Sequence, residues 1–163
     1  MTDFKALLRI LSEAGVECII VGGVAAAVHG AARATFDLDI VYRRTPENVR
    51  RLVLALTPYH PYLRGAPPGL PFRWDVATIQ HGLNFTLTTD IADLDILGEI
   101  VGGGGYDALL PSTVVIRAFG VDCRLLNLDR LIEVKRAAGR PKDFEAIAEL
   151  ETVRARQRQP GPS

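Results

Sequence analysis

Asp37 and Asp39 stand two apart in residues 36–42, FDLDIVY, and Asp93 and Asp95 stand two apart in residues 92–97, ADLDIL. On a strand, residues at i and i+2 point to the same face. Carboxylates held side by side repel unless a positive charge lies between them. Hard oxygen donors of this kind suit Mg²⁺ or Mn²⁺. The neighbours Leu38, Ile40, Val41, Leu94, Ile96 and Leu97 are apolar, so both strands read as central rather than as wet edges. Two such strands in one small domain could bring three or four carboxylates together, a ligand set for a metal that also binds substrate phosphates. Taken alone, the Asp37 and Asp39 pair reads first as a solvated strand face, and the Asp93 and Asp95 pair also reads as a solvated or bulge-facing strand.

Positive charge and open backbone lie elsewhere in the chain. Lys135 takes the fourth place of a helical stripe formed by Leu128, Leu131 and Ile132. It either runs along the core edge or aims its ammonium at an anion in a cleft. Arg136, Arg140 and Lys142 follow it, and Arg33 precedes the first aspartate pair. Gly22 and Gly23 stand where a strand gives way to a helix. There they form a tight turn, or they let a phosphate approach free N–H groups. The pair fits neither G-x-G-x-x-G nor a Walker loop, which excludes dinucleotide and P-loop binding. His29, His60 and His81 show no ligand spacing, His29 reads as a capping or packing residue, and no G-x-S-x-G is present. Cys18 and Cys123 read as two small buried residues, neither a disulfide framework nor a zinc pair.

The elements that must position these groups follow from periodicity. Phe4, Leu7, Leu8 and Leu11 give a helix face, opened by Thr2 or Asp3 and closed near Gly15. Residues 16–21 read as a buried strand, 24–29 as a short helix, and 36–42 as a second strand. Thr45 caps a helix with Pro46 at its first position, and Val49, Leu52, Val53 and Leu56 form its inner face. Residues 57–73 hold five of the ten prolines and two glycines, which predicts a long loop, a flap or a mobile insertion. Strands are expected at 84–89 and 92–97, and glycines 102–105 read as a flexible connection. A hairpin spans 113–117 and 121–126, and a helix follows Asn127. Pro141 opens a last helix with Phe144, Ile147 and Ala148 inward. Residues 1–153 are expected to form one domain, with 154–163 a fraying tail.

Composition bounds the class. The 163 residues carry 19 Lys plus Arg and 19 Asp plus Glu, so the net charge is zero. This excludes a basic nucleic-acid coat and an acidic tail protein. At 48% hydrophobic and 23% charged, the chain matches a globular protein with a real core. The longest apolar stretch, 18–28, contains two glycines and is far shorter than the roughly 20 residues a bilayer needs. The N-terminus shows no leader pattern, so a soluble cytoplasmic protein is expected.

The order of these pieces resembles the nucleotidyltransferase superfamily, the fold shared by DNA polymerase β and kanamycin nucleotidyltransferase. Within it, the likeness is to the AbiEii/MenT-type and related small bacterial proteins. The matching residues are Val21, Gly22 and Gly23, then His29 and Gly30, then the run 33–40, read as R-x-T-x-D-h-D-h, where h is apolar. Residues 94–97, with Asp95, resemble the strand bearing the third carboxylate, and 135–143 resemble a late K-x4-R-x-K-D element. The likeness spans roughly residues 16–45 and 84–150.

The resemblance implies an α/β (α+β) nucleotidyltransferase fold, a small mixed sheet with helices packed mainly on one face. It implies that Asp37, Asp39 and Asp95 bind Mg²⁺ or Mn²⁺, with Asp95 also helping to activate an attacking hydroxyl. Lys135 would touch phosphate, Gly22 and Gly23 would cradle the triphosphate, and Arg33 and Thr35 would lie beside the nucleotide. The activity implied is transfer of a nucleoside monophosphate from an NTP to an acceptor hydroxyl on RNA, a protein or a small molecule. A toxin role, with an antitoxin or other partner protein, is implied in the same way. Gly23 stands where the superfamily more often has Ser, which removes one hydroxyl contact. Asp93 competes with Asp95 for the third place, and the apolar residues flanking Asp95 favour it. A module that binds nucleotide or a partner without turnover is the alternative, and a metal-dependent nuclease is a third reading.

Overall fold

A computed structural model describes residues 3–32 and 37–159. Helix α1, Phe4–Glu13, starts on Asp3, whose carboxylate accepts from the Ala6 N–H at 3.0 Å. Strand β1, Cys18–Val21, runs straight into α2, Gly22–His29. The helix therefore begins at the two glycines, two residues earlier than periodicity predicts. Strand β2 is Asp37–Tyr42. Helix α3, Pro46–Leu56, is capped by the Thr45 hydroxyl as expected.

The proline-rich segment 57–73 is not simply a loop. It contains a short strand, β3, Tyr62–Leu63. Helix α4, Val76–His81, follows and is capped by Asp75, an element whose single turn and a half carries too little periodicity to read. Strands β4, Phe85–Thr88, and β5, Asp93–Leu97, fall where predicted. Glycines 102–105 belong to a tight ribbon rather than a flexible connection. It consists of β6, Glu99–Ile100, and β7, Gly104–Gly105. A Cβ on Gly102 would overlap the Ala137 methyl, and one on Gly103 would crowd Ile100 and Leu109. These glycines are small because the ribbon is pressed against its neighbours.

After the short α5, Tyr106–Leu109, the hairpin of β8, Thr113–Ala118, and β9, Val121–Leu126, turns on Phe119 and Gly120, both at positive φ. Helix α6, Leu128–Ala138, is capped by Asn127 and closed by Gly139 in the left-handed region. Helix α7, Pro141–Arg158, continues through the expected tail as far as 158. Arg154 and Arg158 both reach Asp129 at 3.1 Å, which ties this last part of the helix down. Its inner face is Asp143, Ile147, Leu150 and Val153; Phe144 is 62% exposed and Ala148 is exposed as well. Asp143 takes the inward place because Arg140 donates to it at 2.7 Å, so periodicity of apolar residues alone gives the wrong phase.

Among the described residues, seven strands form one mixed sheet in the order β3-β4-β5-β2-β1-β9-β8. Strand β2 is antiparallel to β1 and parallel to β5, at the centre. Leu38, Ile40, Leu94 and Ile96 point to one face and are 0% exposed. Each such burial contributes about 2 kcal/mol. Leu8 and Leu11 of α1 lie on this same face beside Cys18 and Ile20. The alternation that buries these residues turns Asp37, Asp39, Asp93 and Asp95 to the other face.

Candidate active site

The parallel register of β2 and β5 sets Asp37 opposite Asp93 and Asp39 opposite Asp95. Four carboxylates thus form a two-by-two array. Asp37, Asp39 and Asp95 each offer one oxygen, and those oxygens lie within 4.8 Å of one another. Asp93 stands outside this group. Three carboxylates with no thiol or imidazole among them fit a hard divalent cation such as Mg²⁺ or Mn²⁺.

The crowding has an electrostatic cost. Burial pushes the Asp39 carboxyl up, and its neighbour Asp95, through charge and a hydrogen bond, and Asp37 push it further, to about 7. Lys135 pulls in the opposite direction and does not offset them.

Gly22 explains how the array meets α2. Its φ is +70°, and a Cβ there would overlap the Asp39 carboxylate. The glycine is thus needed both for its backbone conformation and for the space it leaves. The Val21 side chain does not cap α2.

Lys135 projects from α6 beyond buried Leu128, Leu131 and Ile132, and it is half-buried. Burial lowers its pKa, Arg140 and Lys142 lower it further, and Asp143 and Asp39 resist. Of the two orientations open in the sequence, the one facing the cleft is observed. A cleft of about 380 Å³ is lined by Gly22, Asp39, Asp95, Lys135, Arg140 and Asn84 among others. Acid lies on one side and base on the other.

One cation was missed. Arg64 leaves the end of β3 and enters the array from the side opposite Lys135. Its Nη2 donates to Asp95 at 2.8 Å and to the Leu87 carbonyl at 2.7 Å. It also stands 3.4 Å from Asp93 and 3.9 Å from Asp37. A two-residue strand inside a proline-rich segment leaves no alternation that could have pointed to it. Arg33 and Thr35 lie outside the described residues. His29 packs as read, its Nε2–H donating to the Leu126 carbonyl at 2.7 Å. Cys18 and Cys123 are free thiols on the opposite face, and burial pushes Cys18 up to about 12.

No protein-family model matches the sequence, and no curated protein does. Among solved structures, an antigenic nucleotidyltransferase-like protein from Paracoccidioides brasiliensis matches at TM-score 0.55 and 15% identity, over 91% of this chain and 72% of that chain. The chain has the nucleotidyltransferase fold. A protein of Thermotoga maritima, provisionally assigned as a nucleotidyltransferase, matches more loosely, at TM-score 0.49 and 15% identity over 96% of this chain and 95% of that chain. In this nucleotidyltransferase fold the aspartates occupy the middle of the sheet, where two strands run parallel. Among the described residues, no helix is long and apolar enough to cross a membrane.

Proposed function

We propose that the chain is a metal-dependent nucleotidyltransferase that moves a nucleoside monophosphate from an NTP to an acceptor hydroxyl. The carrying observation is the register that sets Asp37, Asp39 and Asp95 within 4.8 Å of one another, in a cleft that Lys135 faces. A divalent cation bound by the three carboxylates would supply the charge that offsets their repulsion and polarises the phosphate. Lys135 and Arg140 are placed to hold triphosphate oxygens, and the N–H groups of the first turn of α2, at Gly22 and Gly23, are the donors the resemblance assigns to the triphosphate. Asp95 takes the proton of the attacking hydroxyl. The new bond joins that oxygen to the α-phosphorus, and pyrophosphate leaves.

By resemblance, Arg33 and Thr35 join the nucleotide site. The acceptor is an RNA end, a protein side chain or a small molecule. An AbiEii/MenT-type toxin with an antitoxin partner, acting in the cytoplasm, is the biological setting the resemblance favours.

The test is transfer of label from each of the four NTPs to lysate acceptors with Mg²⁺ or Mn²⁺. The wild type is expected to transfer label. Asp37→Ala and Asp39→Ala should each reduce transfer about a hundredfold or more. Glu47→Gln, on exposed α3, should leave it unchanged. Absence of transfer by the wild type with every NTP and both metals refutes the catalytic reading.

One observation favours a second reading. Arg64 already neutralises part of the acid array, as it would in a module that binds nucleotide without turnover. Such a module gives calorimetric heat with NTP and releases no pyrophosphate.

A further inference from the structure

Arg64 is placed by register. Leu63 pairs with Leu87 on β4, and the Arg64 N–H donates to the Thr86 carbonyl at 3.0 Å. Thr86 in turn pairs with Asp95, and Asp95 with Asp39. Arg64, Thr86, Asp95 and Asp39 therefore form one row across four strands, with side chains on one face. Thr86 is short and exposed, so the long guanidinium passes over it to the carboxylates.

Two features set this arginine apart from an ordinary surface ion pair. Its side chain is only 27% exposed, so its charge is weakly screened. Its Nε is buried with no hydrogen-bond partner, although Asp93 stands 3.4 Å away. The guanidinium is thus drawn in by charge while one donor goes unmet. Arginine cannot shed its proton, so it is a permanent cation among the acids.

We propose that Arg64 is a positioning residue, a built-in counter-ion that holds Asp95 in the array and competes with a divalent cation, which loads by displacing the guanidinium. This role rests on the reading of Asp37, Asp39 and Asp95 as a cation site. Before loading, the arginine offsets the repulsion among the carboxylates. Once a doubly charged ion lies within the triad, the guanidinium is redundant there and repelled by it. Displacement needs only the side chain to swing, since the Arg64 N–H stays paired with the Thr86 carbonyl at 3.0 Å.

The experiment is calorimetric titration of the full chain with Mn²⁺ alone, for wild type, Arg64→Gln, Arg64→Lys and Asp39→Asn. Arg64→Gln should bind Mn²⁺ about tenfold or more tightly than wild type. Arg64→Lys keeps the charge but cannot span Asp95 and the Leu87 carbonyl at once, so it should fall between the two. Its affinity decides the matter if the glutamine variant does not fold. Equal or weaker binding by both variants overturns the proposal and leaves the cation site intact. Failure of wild type and every variant to bind Mn²⁺ at millimolar concentration overturns the cation site itself, and this role with it.

Discussion

Asp39 is the residue on which charge, backbone and cleft converge. Its ordinary value of 3.8 is raised to about 7 in the fold. Between those values the folded chain holds a proton that the unfolded chain has lost. The stability that goes with this proton is complete below pH 3.8 and is lost as the pH rises through about 7. Asp39→Asn removes this dependence, so its melting temperature relative to wild type should rise from pH 5 to pH 8 in scanning calorimetry without metal. Saturating Mn²⁺ should narrow the difference at pH 8, because it favours the ionised carboxylate. Gly22→Ala tests the same residue from the backbone side. Positive φ costs a Cβ about 1–2 kcal/mol, and the methyl would also push against the carboxylate. Retained circular dichroism with lost label transfer is the expected outcome. At this scale the sequence was informative where side chains alternate on regular strands: Asp37, Asp39 and Asp95 were all legible. Arg64 was not, because it follows a strand of two residues.

Among the elements, α3 shows how local chemistry fixes the scaffold. Asn48 is 1% exposed. It donates to the carbonyls of Glu17 at 2.9 Å and Arg43 at 2.8 Å, and it accepts from the Glu17 N–H at 2.7 Å. One side chain thus binds the chain just before β1 to the chain just after β2, outside the sheet pairing itself. Asn48→Ala strands the Glu17 N–H and the Arg43 carbonyl, while the Glu17 carbonyl keeps the Arg43 N–H at 3.1 Å, and should cost about 3 kcal/mol in urea unfolding, with the slope unchanged. Elements with both a cap and a periodic face, such as α1, α3 and α6, were read closely from sequence. Two misreadings came from contacts that apolar periodicity does not carry. Asp143 turned α7 by one residue through Arg140, and Ala137 made a packed ribbon of glycines that look flexible in isolation.

Over the whole molecule, zero net charge conceals two opposed groups. The stretch 90–99 carries Asp90, Asp93, Asp95 and Glu99 with no base, and 135–142 carries Lys135, Arg136, Arg140 and Lys142 with no acid. The sheet and α6 bring Asp95 of the first group and Lys135 and Arg140 of the second to one cleft of about 380 Å³. The complementary charge of the two stretches is legible in the sequence, but the depth of the cleft and the side of entry depend on register, which composition does not carry. In the proposed function, this cleft holds a divalent cation on its acidic wall and a nucleotide against its basic one. A crystal of the full chain soaked with Mn²⁺ and a non-hydrolysable NTP analogue, recorded for anomalous scattering at the manganese edge, tests it most directly. The expected result is a manganese peak bounded by Asp37, Asp39 and Asp95, with triphosphate extending toward Lys135 and Arg64 turned away. Nucleotide bound without manganese at these three carboxylates, or manganese only elsewhere on the surface, would contradict it.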